Sequence, residues 1–285
     1  MNLANFSDYF MPLQAGQMAS IKKSAGVDRL YFSIISGRSG STYLADVCRG
    51  LGFGKGEESF NELPLGVLEE AEPDRRFDRF LQQTLSDSVV NGTAYFQISI
   101  PRLKHLLELV PIEELINEVD LFTAVKRRNI LSQAISFHNA QRTGLWHTNT
   151  ELQVGSGEAS DSRKILAWVR EINDMELQIG LLEKRMDIKT FYYEDIVSSP
   201  FETILIFLRY HNLYVSSIEM NRVLSSENLP RKIKRKQTHI QYLEMIYDFP
   251  WLQSILIQRM NGVLDSGLLG AELERHVPEI LSLQV

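Results

Sequence analysis

The sequence predicts an α/β fold in which a P-loop-like parallel β-sheet is flanked by helices, with additional helices in the C-terminal part. Short apolar runs rich in β-branched and aromatic residues indicate strands that are buried on both faces. Each run is followed by a segment with helical spacing, which is the order expected of β-α units. The predicted strands are 30–35, 93–100, 119–125 and 188–193.

The chain of 285 residues is long enough to bury one large α/β core. We predict an N-terminal lead-in at 1–27, where proline and glycine interrupt regular structure. Residues 28–285 are predicted to form a single domain. Its C-terminal part, about 212–285, is predicted to be helical.

The composition excludes several classes of protein. A net charge of −6 argues against general binding to nucleic acid. The single cysteine, Cys48, excludes an internal disulfide framework and a cysteine-rich metal site. No apolar run approaches the ~20 residues that span a bilayer, and the N-terminus lacks the pattern of a secretory signal. These features predict a cytoplasmic protein without a transmembrane segment.

A loop rich in glycine and serine connects the first strand to the following helix. The glycines allow a tight turn, and the helix N-terminus supplies N–H groups that suit a phosphate or sulfate. Arg38 adds a planar guanidinium, whereas the lysine of a Walker A motif is missing after Gly40. An ordinary β-turn-α connection is the alternative to an anion site. The loop consists of Gly37, Arg38, Ser39, Gly40, Ser41 and Thr42.

A second candidate anion site follows the strand 119–125. Lys126, Arg127 and Arg128 stand at its carboxyl end, and the next helix carries Ser136. Ligands of open α/β sheets bind beyond the carboxyl ends of the strands, so both candidate sites should face one crevice. A solvated basic strand end is the alternative interpretation.

The residue order of these motifs resembles that of one enzyme family. The stretch SGRSGSTYL resembles the 5′-phosphosulfate loop of sulfotransferases that use 3′-phosphoadenosine 5′-phosphosulfate (PAPS). It is most similar to the bacterial trehalose sulfotransferase branch, which includes lipopolysaccharide (LPS) sulfotransferase-like proteins. An arginine followed by SQAISF resembles the 3′-phosphate motif, in which Ser136 is the matching serine. Alignment with that branch selects Arg127 and the spacing of cytosolic animal enzymes selects Arg128; we prefer Arg127 and keep Arg128 as a second contact.

The acceptor side of the site is predicted mainly from the same resemblance. On spacing alone Glu57 and Glu58 are solvated loop carboxylates. The resemblance implies that Glu58 is the base that deprotonates the acceptor hydroxyl, with Glu57 as the other candidate for the base. It places Glu57 and Phe60 on the acceptor side of the pocket. The chain departs from the family at Gly56, where proline is usual, and at Ser59, where an aromatic residue is usual.

Further contacts are predicted at two other places. Trp146 and His147 are assigned to an acceptor pocket because flat aromatic faces suit sugar rings, with helix-end packing as the alternative. The basic run that ends in Lys236 and Gln237 loosely resembles a segment that closes over the nucleotide in trehalose-type enzymes. A solvated cationic loop or an RNA-contacting tail is its default interpretation.

Together these motifs imply an enzyme that moves a sulfuryl group in line from PAPS to a hydroxyl of a carbohydrate or glycolipid. Arg38 would stabilise charge on the leaving phosphate and Glu58 would accept the proton. The scheme needs no metal and no nucleic-acid partner. Trehalose-type relatives form dimers, so a homodimer is also expected. The alternatives are a P-loop nucleotide kinase or NTPase, and a catalytically silent nucleotide-binding protein of the same fold.

Overall fold

The structure is a computed structural model, which describes residues 10–60, 77–144, 161–210, 212–226 and 236–276, with only the backbone of Lys236 and Gln237. Its described strands form one parallel sheet in the order β2-β1-β3-β4. The predicted strands are therefore confirmed, with ends that differ by one or two residues. The strands are β1 (Arg29–Ile35), β2 (Thr93–Ser99), β3 (Leu121–Lys126) and β4 (Ile188–Tyr192).

Helices surround this sheet and continue to the end of the described chain. The first strand is followed by a helix from Ser41, as its spacing predicts. The helices are α1 (Gln17–Ser24), α2 (Ser41–Gly50), α3 (Phe77–Ser88), α4 (Ile100–Leu109), α5 (Ile112–Glu118), α6 (Ile130–Thr143), α7 (Ser162–Leu182), α8 (Tyr193–Ser198), α9 (Pro200–Tyr210), α10 (Ser217–Leu224), α11 (Lys236–Asp248), α12 (Trp251–Met260) and α13 (Ser266–His276).

Each face of the sheet carries its own apolar core. Phe32 and Phe96 belong to the core that α1, α3 and α4 cover. Tyr31 and Tyr95 belong to the core on the other face, with α2, α9 and α10. The alternation of side chains along the strands produces this division. Cys48 lies in the second core and is 1% exposed, as its place on the apolar side of α2 predicts.

The C-terminal helices pack on the helices that follow β3. A third core joins α6 and α7 to α11, α12 and α13, and Met245 and Leu269 are fully buried in it. This arrangement confirms that additional C-terminal helices accompany the sheet. No described helix has the length and apolar character needed to cross a membrane.

The described residues of the lead-in include a helix that the sequence analysis did not specify. Within the described residues of the lead-in, α1 buries Met18 and Ile21 in the core. The Lys22 ammonium donates to the Glu118 carbonyl and the Asp120 carboxylate, both at 2.8 Å. This helix has only eight residues and is stabilised by tertiary contacts, which local sequence periodicity does not reveal.

Register brings the carboxyl ends of the strands to one edge of the sheet. Ile35 of β1 is level with Ser99 of β2 and with Val125 of β3, and Lys126 is level with Tyr192 of β4. The β1–α2 loop (residues 36–40) and the β3–α6 turn (residues 127–129) therefore leave the sheet side by side. This is the edge at which open α/β sheets bind ligands.

Candidate functional site

The β1–α2 loop has an unusual backbone. Gly37, Arg38 and Gly40 have φ angles of 68°, 51° and 91°. Left-handed geometry is costly for a residue with a side chain, and such strain concentrates at ligand sites. Gly40 is also the N-cap of α2, and no side chain caps this helix. The N-terminus of α2 is therefore suited to an external anion.

Two aromatic rings pack directly against the glycines of this loop. A Cβ atom on Gly37 would lie 2.5 Å from the ring of Phe137, and one on Gly40 would lie 2.1 Å from the ring of Tyr193. Both distances are far below van der Waals contact. The loop therefore needs glycine at these positions for its backbone angles and for the close approach of α6 and α8.

We expect Gly40→Ala to lower the free energy of unfolding by about 3 kcal/mol, because backbone strain and overlap with Tyr193 add together. Gly144→Ala is the matched control. Gly144 also has a positive φ, 71°, but a Cβ atom there would meet nothing within 4 Å. The control should lose about 1 kcal/mol. Urea unfolding would measure both, and equal losses would show that Tyr193 does not constrain the loop.

The loop is attached to α6 by side-chain hydrogen bonds. Gln133 Nε2 donates to the Gly37 carbonyl at 2.6 Å and to Ser36 Oγ at 3.0 Å. Arg38 Nε donates to Ser136 Oγ at 3.0 Å. Arg38 and Ser136 are 98 positions apart in the chain and come from the two predicted anion motifs. The structure therefore places these motifs in direct contact.

The three cations that end β3 have different surroundings. Lys126 Nζ pairs with Glu183 Oε1 at 2.9 Å. Arg128 forms two parallel hydrogen bonds with Asp195, at 2.6 and 2.8 Å, and lies over the ring of Tyr192. The hydrogen bonds with Asp195 raise the pKa of Arg128 above its usual value. The head groups of Lys126 and Arg128 are thus already engaged by carboxylates.

Arg127 is held much less tightly than its neighbours. Its guanidinium lies over the Tyr193 ring, 4.8 Å from the centroid, and Nε is 3.9 Å from Glu194 Oε1. Burial lowers the pKa of Arg127 from its ordinary value, although Tyr193 and Glu194 partly oppose this effect. Its surroundings therefore favour a further negative charge beside this guanidinium.

Buried polar atoms in and beside the loop lack a hydrogen-bond partner among the described residues. They include Arg127 Nε, Ser39 Oγ and Gln133 Oε1. The Tyr193 ring contacts both Arg127 and Gly40, so these atoms belong to one region of the crevice. Buried polar groups are rarely left unsatisfied. The donor groups Arg127 Nε and Ser39 Oγ therefore fit a ligand with several anionic oxygens.

Helix α6 differs from α2 because its N-terminus is already occupied. Glu194 accepts hydrogen bonds from the backbone N–H groups of Arg128 and Asn129, both at 3.0 Å. Asn129 also caps the helix by accepting from Ser132 N at 3.0 Å. An anion beside α6 must therefore be bound by side chains, of which Ser136 and Arg127 are the candidates.

The acceptor-side carboxylates lie beside β2. Glu57 pairs with Phe96 in a parallel bridge, and its carboxylate accepts from Ser88 Oγ at 2.8 Å. Because the bridge is parallel, Glu58 lies one residue nearer the carboxyl edge of the sheet. Gly56 packs against Ala45 of α2 and has a φ of 65°, so the chain is not extended at this residue.

The side chain of Phe60 lies in the apolar core and not in the predicted acceptor pocket. Its side chain is 0% exposed and lies in the first core, 5.0 Å from the Phe96 ring and 5.6 Å from the Phe32 ring between centroids. The apolar ring gains more from this aromatic cluster than from an open wall. Phe60 is therefore a packing residue.

The remaining predicted residues are described only in part or not at all. Trp146 and His147 lie outside the described residues. Lys236 and Gln237 begin α11, and only their backbone is described. In the described part of the chain, no group of His, Cys, Asp or Glu side chains is placed to hold a metal ion.

Residues 99–184 match the family model described as Stf0 sulphotransferase. The matched stretch is less than a third of the chain and runs from the end of β2 to just beyond α7. It contains the β3–α6 turn and Ser136, but not the β1–α2 loop or Glu58. The match supports sulfuryl transfer as the general type of reaction. No curated protein sequence is significantly similar to the chain.

Solved structures with some likeness to the chain include several sulfotransferases. The sulfotransferase domain from the curacin biosynthetic pathway is 15% identical, with a TM-score of 0.43 over 72% of this chain and 81% of that chain. The domain from the Synechococcus PCC 7002 olefin synthase is 13% identical, with a TM-score of 0.43 over 71% and 79%. Mouse SULT7A1, complexed with PAP, is 12% identical, with a TM-score of 0.38 over 82% and 89%. TM-scores below 0.5 make these likenesses distant.

Proposed function

We propose that the chain is a PAPS-dependent sulfotransferase whose acceptor is a hydroxyl of a carbohydrate or glycolipid. The observation that carries this proposal is the contact between Arg38 and Ser136. It joins the loop that resembles a 5′-phosphosulfate site to the helix that resembles a 3′-phosphate site. A nucleotide with anionic groups at both ends matches two adjacent anion motifs better than a nucleotide with only one.

The residues of the crevice divide naturally between the two ends of PAPS. The β1–α2 loop and the N-terminus of α2 would hold the 5′-phosphosulfate through N–H groups, Arg38 and the hydroxyls of Ser39, Ser41 and Thr42. Arg127 and Ser136 would hold the 3′-phosphate. Arg128 is already paired with Asp195, so we now assign it to support of the β3–α6 turn instead of direct contact. Lys236 and Gln237 remain candidates to cover the nucleotide.

The proposed reaction is an in-line transfer at sulfur. Glu58 takes the proton of the acceptor hydroxyl as the acceptor oxygen forms a bond to sulfur. The bond between sulfur and the bridging oxygen of the 5′-phosphate breaks, and PAP leaves with the electron pair of that bond. Arg38 and the positive end of α2 stabilise the charge that develops on the leaving phosphate. By analogy with phosphoryl transfer, positioning and electrostatics supply most of the catalysis.

Calorimetry with PAP, 5′-AMP and ATP with Mg²⁺ tests the donor assignment. We expect PAP to bind at least about tenfold more tightly than 5′-AMP, since a hydrogen-bonded charged contact is worth about 1.5–3 kcal/mol. Equal affinity for PAP and 5′-AMP would refute a 3′-phosphate site. Binding of ATP only with Mg²⁺ would point to the nucleotide kinase or NTPase alternative.

Turnover distinguishes an enzyme from a silent binding protein. Radiolabelled PAPS would be incubated with a panel of monosaccharides, disaccharides and glycolipids, and transfer of label to an acceptor measured. Transfer at a rate above that without enzyme supports the proposal. Tight binding of PAP with no transfer to any member of the panel would favour the silent alternative.

A further inference from the structure

The β3–α6 turn is held on two sides by residues from distant parts of the chain. On one side Glu194 accepts hydrogen bonds from the N–H groups of Arg128 and Asn129. On the other side the carbonyl of Arg128 accepts a hydrogen bond of 3.1 Å from Arg259 Nε. Arg259 belongs to α12 and lies 131 positions further along the chain. The backbone that carries Arg127 is therefore fixed by α8 and by a C-terminal helix.

Arg259 is itself buried and paired. Its side chain is 6% exposed and forms an ion pair with Glu176 of α7, whose side chain is 1% exposed. Glu176 also accepts a hydrogen bond of 2.9 Å from Ser266 Oγ, at the start of α13. This cluster links α7, α12 and α13 to the β3–α6 turn. Because the Arg259 side chain is buried in this cluster, it has no exposed surface that could bind the nucleotide.

Stability alone does not account for this buried pair. Taking two charges out of water is costly, and well-packed apolar residues of similar size are often as stabilising as a buried ion pair. The hydrogen bond from Arg259 to the Arg128 carbonyl holds the β3–α6 turn in place, and apolar side chains could not form such a bond. It fixes the orientation of the peptide between Arg128 and Asn129, one residue beyond Arg127.

A second polar link attaches the C-terminal helices near Ser136. Asn139 of α6 and Gln241 of α11 exchange two amide hydrogen bonds, at 2.8 and 3.2 Å. Asn139 lies one helical turn beyond Ser136. The C-terminal helices are therefore bonded next to both elements that we assign to the 3′-phosphate.

We propose that Arg259 is a positioning residue for the donor site, which aims Arg127 at the 3′-phosphate by holding the β3–α6 turn. This inference rests on the proposed function, because it requires a 3′-phosphate beside Arg127. It adds α12 to the donor site: Arg259 influences the selectivity of the site without touching the nucleotide.

The test compares PAP with 5′-AMP in variants of the buried pair. The double variant Glu176→Leu, Arg259→Met removes both charges together and leaves no buried charge unpaired. Arg259→Lys keeps a positive charge for Glu176 but lacks the guanidinium that also reaches Arg128. Arg275→Met is the matched control, because Arg275 lies in α13 and pairs with Glu272 at an exposed position. Thermal unfolding of each variant reports whether the fold is retained.

We expect the PAP affinity of both pair variants to fall about 5- to 50-fold, since a small misplacement of a binding group has effects of this size. Their affinity for 5′-AMP should change less than about twofold, because 5′-AMP lacks the 3′-phosphate. The control should match the wild type. If the double variant does not fold, Arg259→Lys gives the answer.

The possible failures are distinguishable. A wild type that binds PAP and 5′-AMP equally would overturn the proposed function, and this inference with it. A wild type that prefers PAP, together with folded pair variants that keep the same preference, would overturn the positioning role alone. Loss of affinity for both nucleotides in equal proportion would also overturn it, because general loosening of the crevice would then be the cause.

Discussion

Glu58→Gln is expected to reduce kcat for sulfation by about 10²–10⁴-fold, the usual contribution of a general base. The amide that replaces the carboxylate cannot accept the proton of the acceptor hydroxyl. The affinity for PAP should change little, because Glu58 is assigned to the acceptor and not to the donor. The measurement is the rate of label transfer from PAPS to the best acceptor of the carbohydrate panel, with calorimetry of PAP on the same variant.

Glu57→Gln is the matched control for this experiment. The Glu57 carboxylate accepts from Ser88 Oγ at 2.8 Å and from Ser59 Oγ at 3.4 Å, and its backbone extends the sheet beside β2. These bonds give it a structural task, so we expect kcat to fall less than about tenfold. The reverse order of effects, with the larger loss in Glu57→Gln, would identify Glu57 as the base.

Arg127→Ala is expected to lower the affinity for PAP by about 10- to 100-fold, the range for loss of a charged hydrogen-bonded contact. The affinity for 5′-AMP should remain nearly the same, so the preference for a 3′-phosphate should largely disappear. The physical reason is that Arg127 is only loosely paired within the protein, with Glu194 at 3.9 Å. Calorimetry of both nucleotides measures the effect.

The variant Arg128→Ala tests whether Arg128 binds the nucleotide directly or supports the β3–α6 turn. This variant removes the paired bonds to Asp195 and the contact with the Tyr192 ring, so its effect on PAP must come through the β3–α6 turn. We expect it to retain more of the preference for PAP than Arg127→Ala does. If Arg128→Ala loses more of that preference than Arg127→Ala does, the arginine that binds the 3′-phosphate is Arg128, which the spacing of the cytosolic animal enzymes selects.

The two anion motifs were predictable because their physics is local. A β-turn-α loop with glycines and an arginine has its strand, turn and helix start within a few residues of one another. The shared edge was predictable as well, because parallel strands bring their carboxyl ends together. The contact between Arg38 and Ser136 follows from that topology.

The choice between adjacent arginines was not predictable in the same way. Arg127 and Arg128 differ by one position, and no local pattern states which guanidinium is already engaged. Asp195 engages Arg128 from 67 positions away, and Tyr193 contacts Arg127 after the chain has crossed to β4. The burial of Phe60 is a similar case, since an aromatic residue after a loop suits a pocket and a core equally well.

By itself the sequence determined the parallel sheet, the β1–α2 loop and the basic turn after β3, because hydrophobic periodicity and turn chemistry act between near neighbours. Only the tertiary structure decided which charges are neutralised inside the protein and which face the crevice. It also brought Arg259 to the backbone of the turn. Those outcomes depend on pairings between residues far apart in the chain, and charge pairing is fixed by distance in space and not by position in sequence.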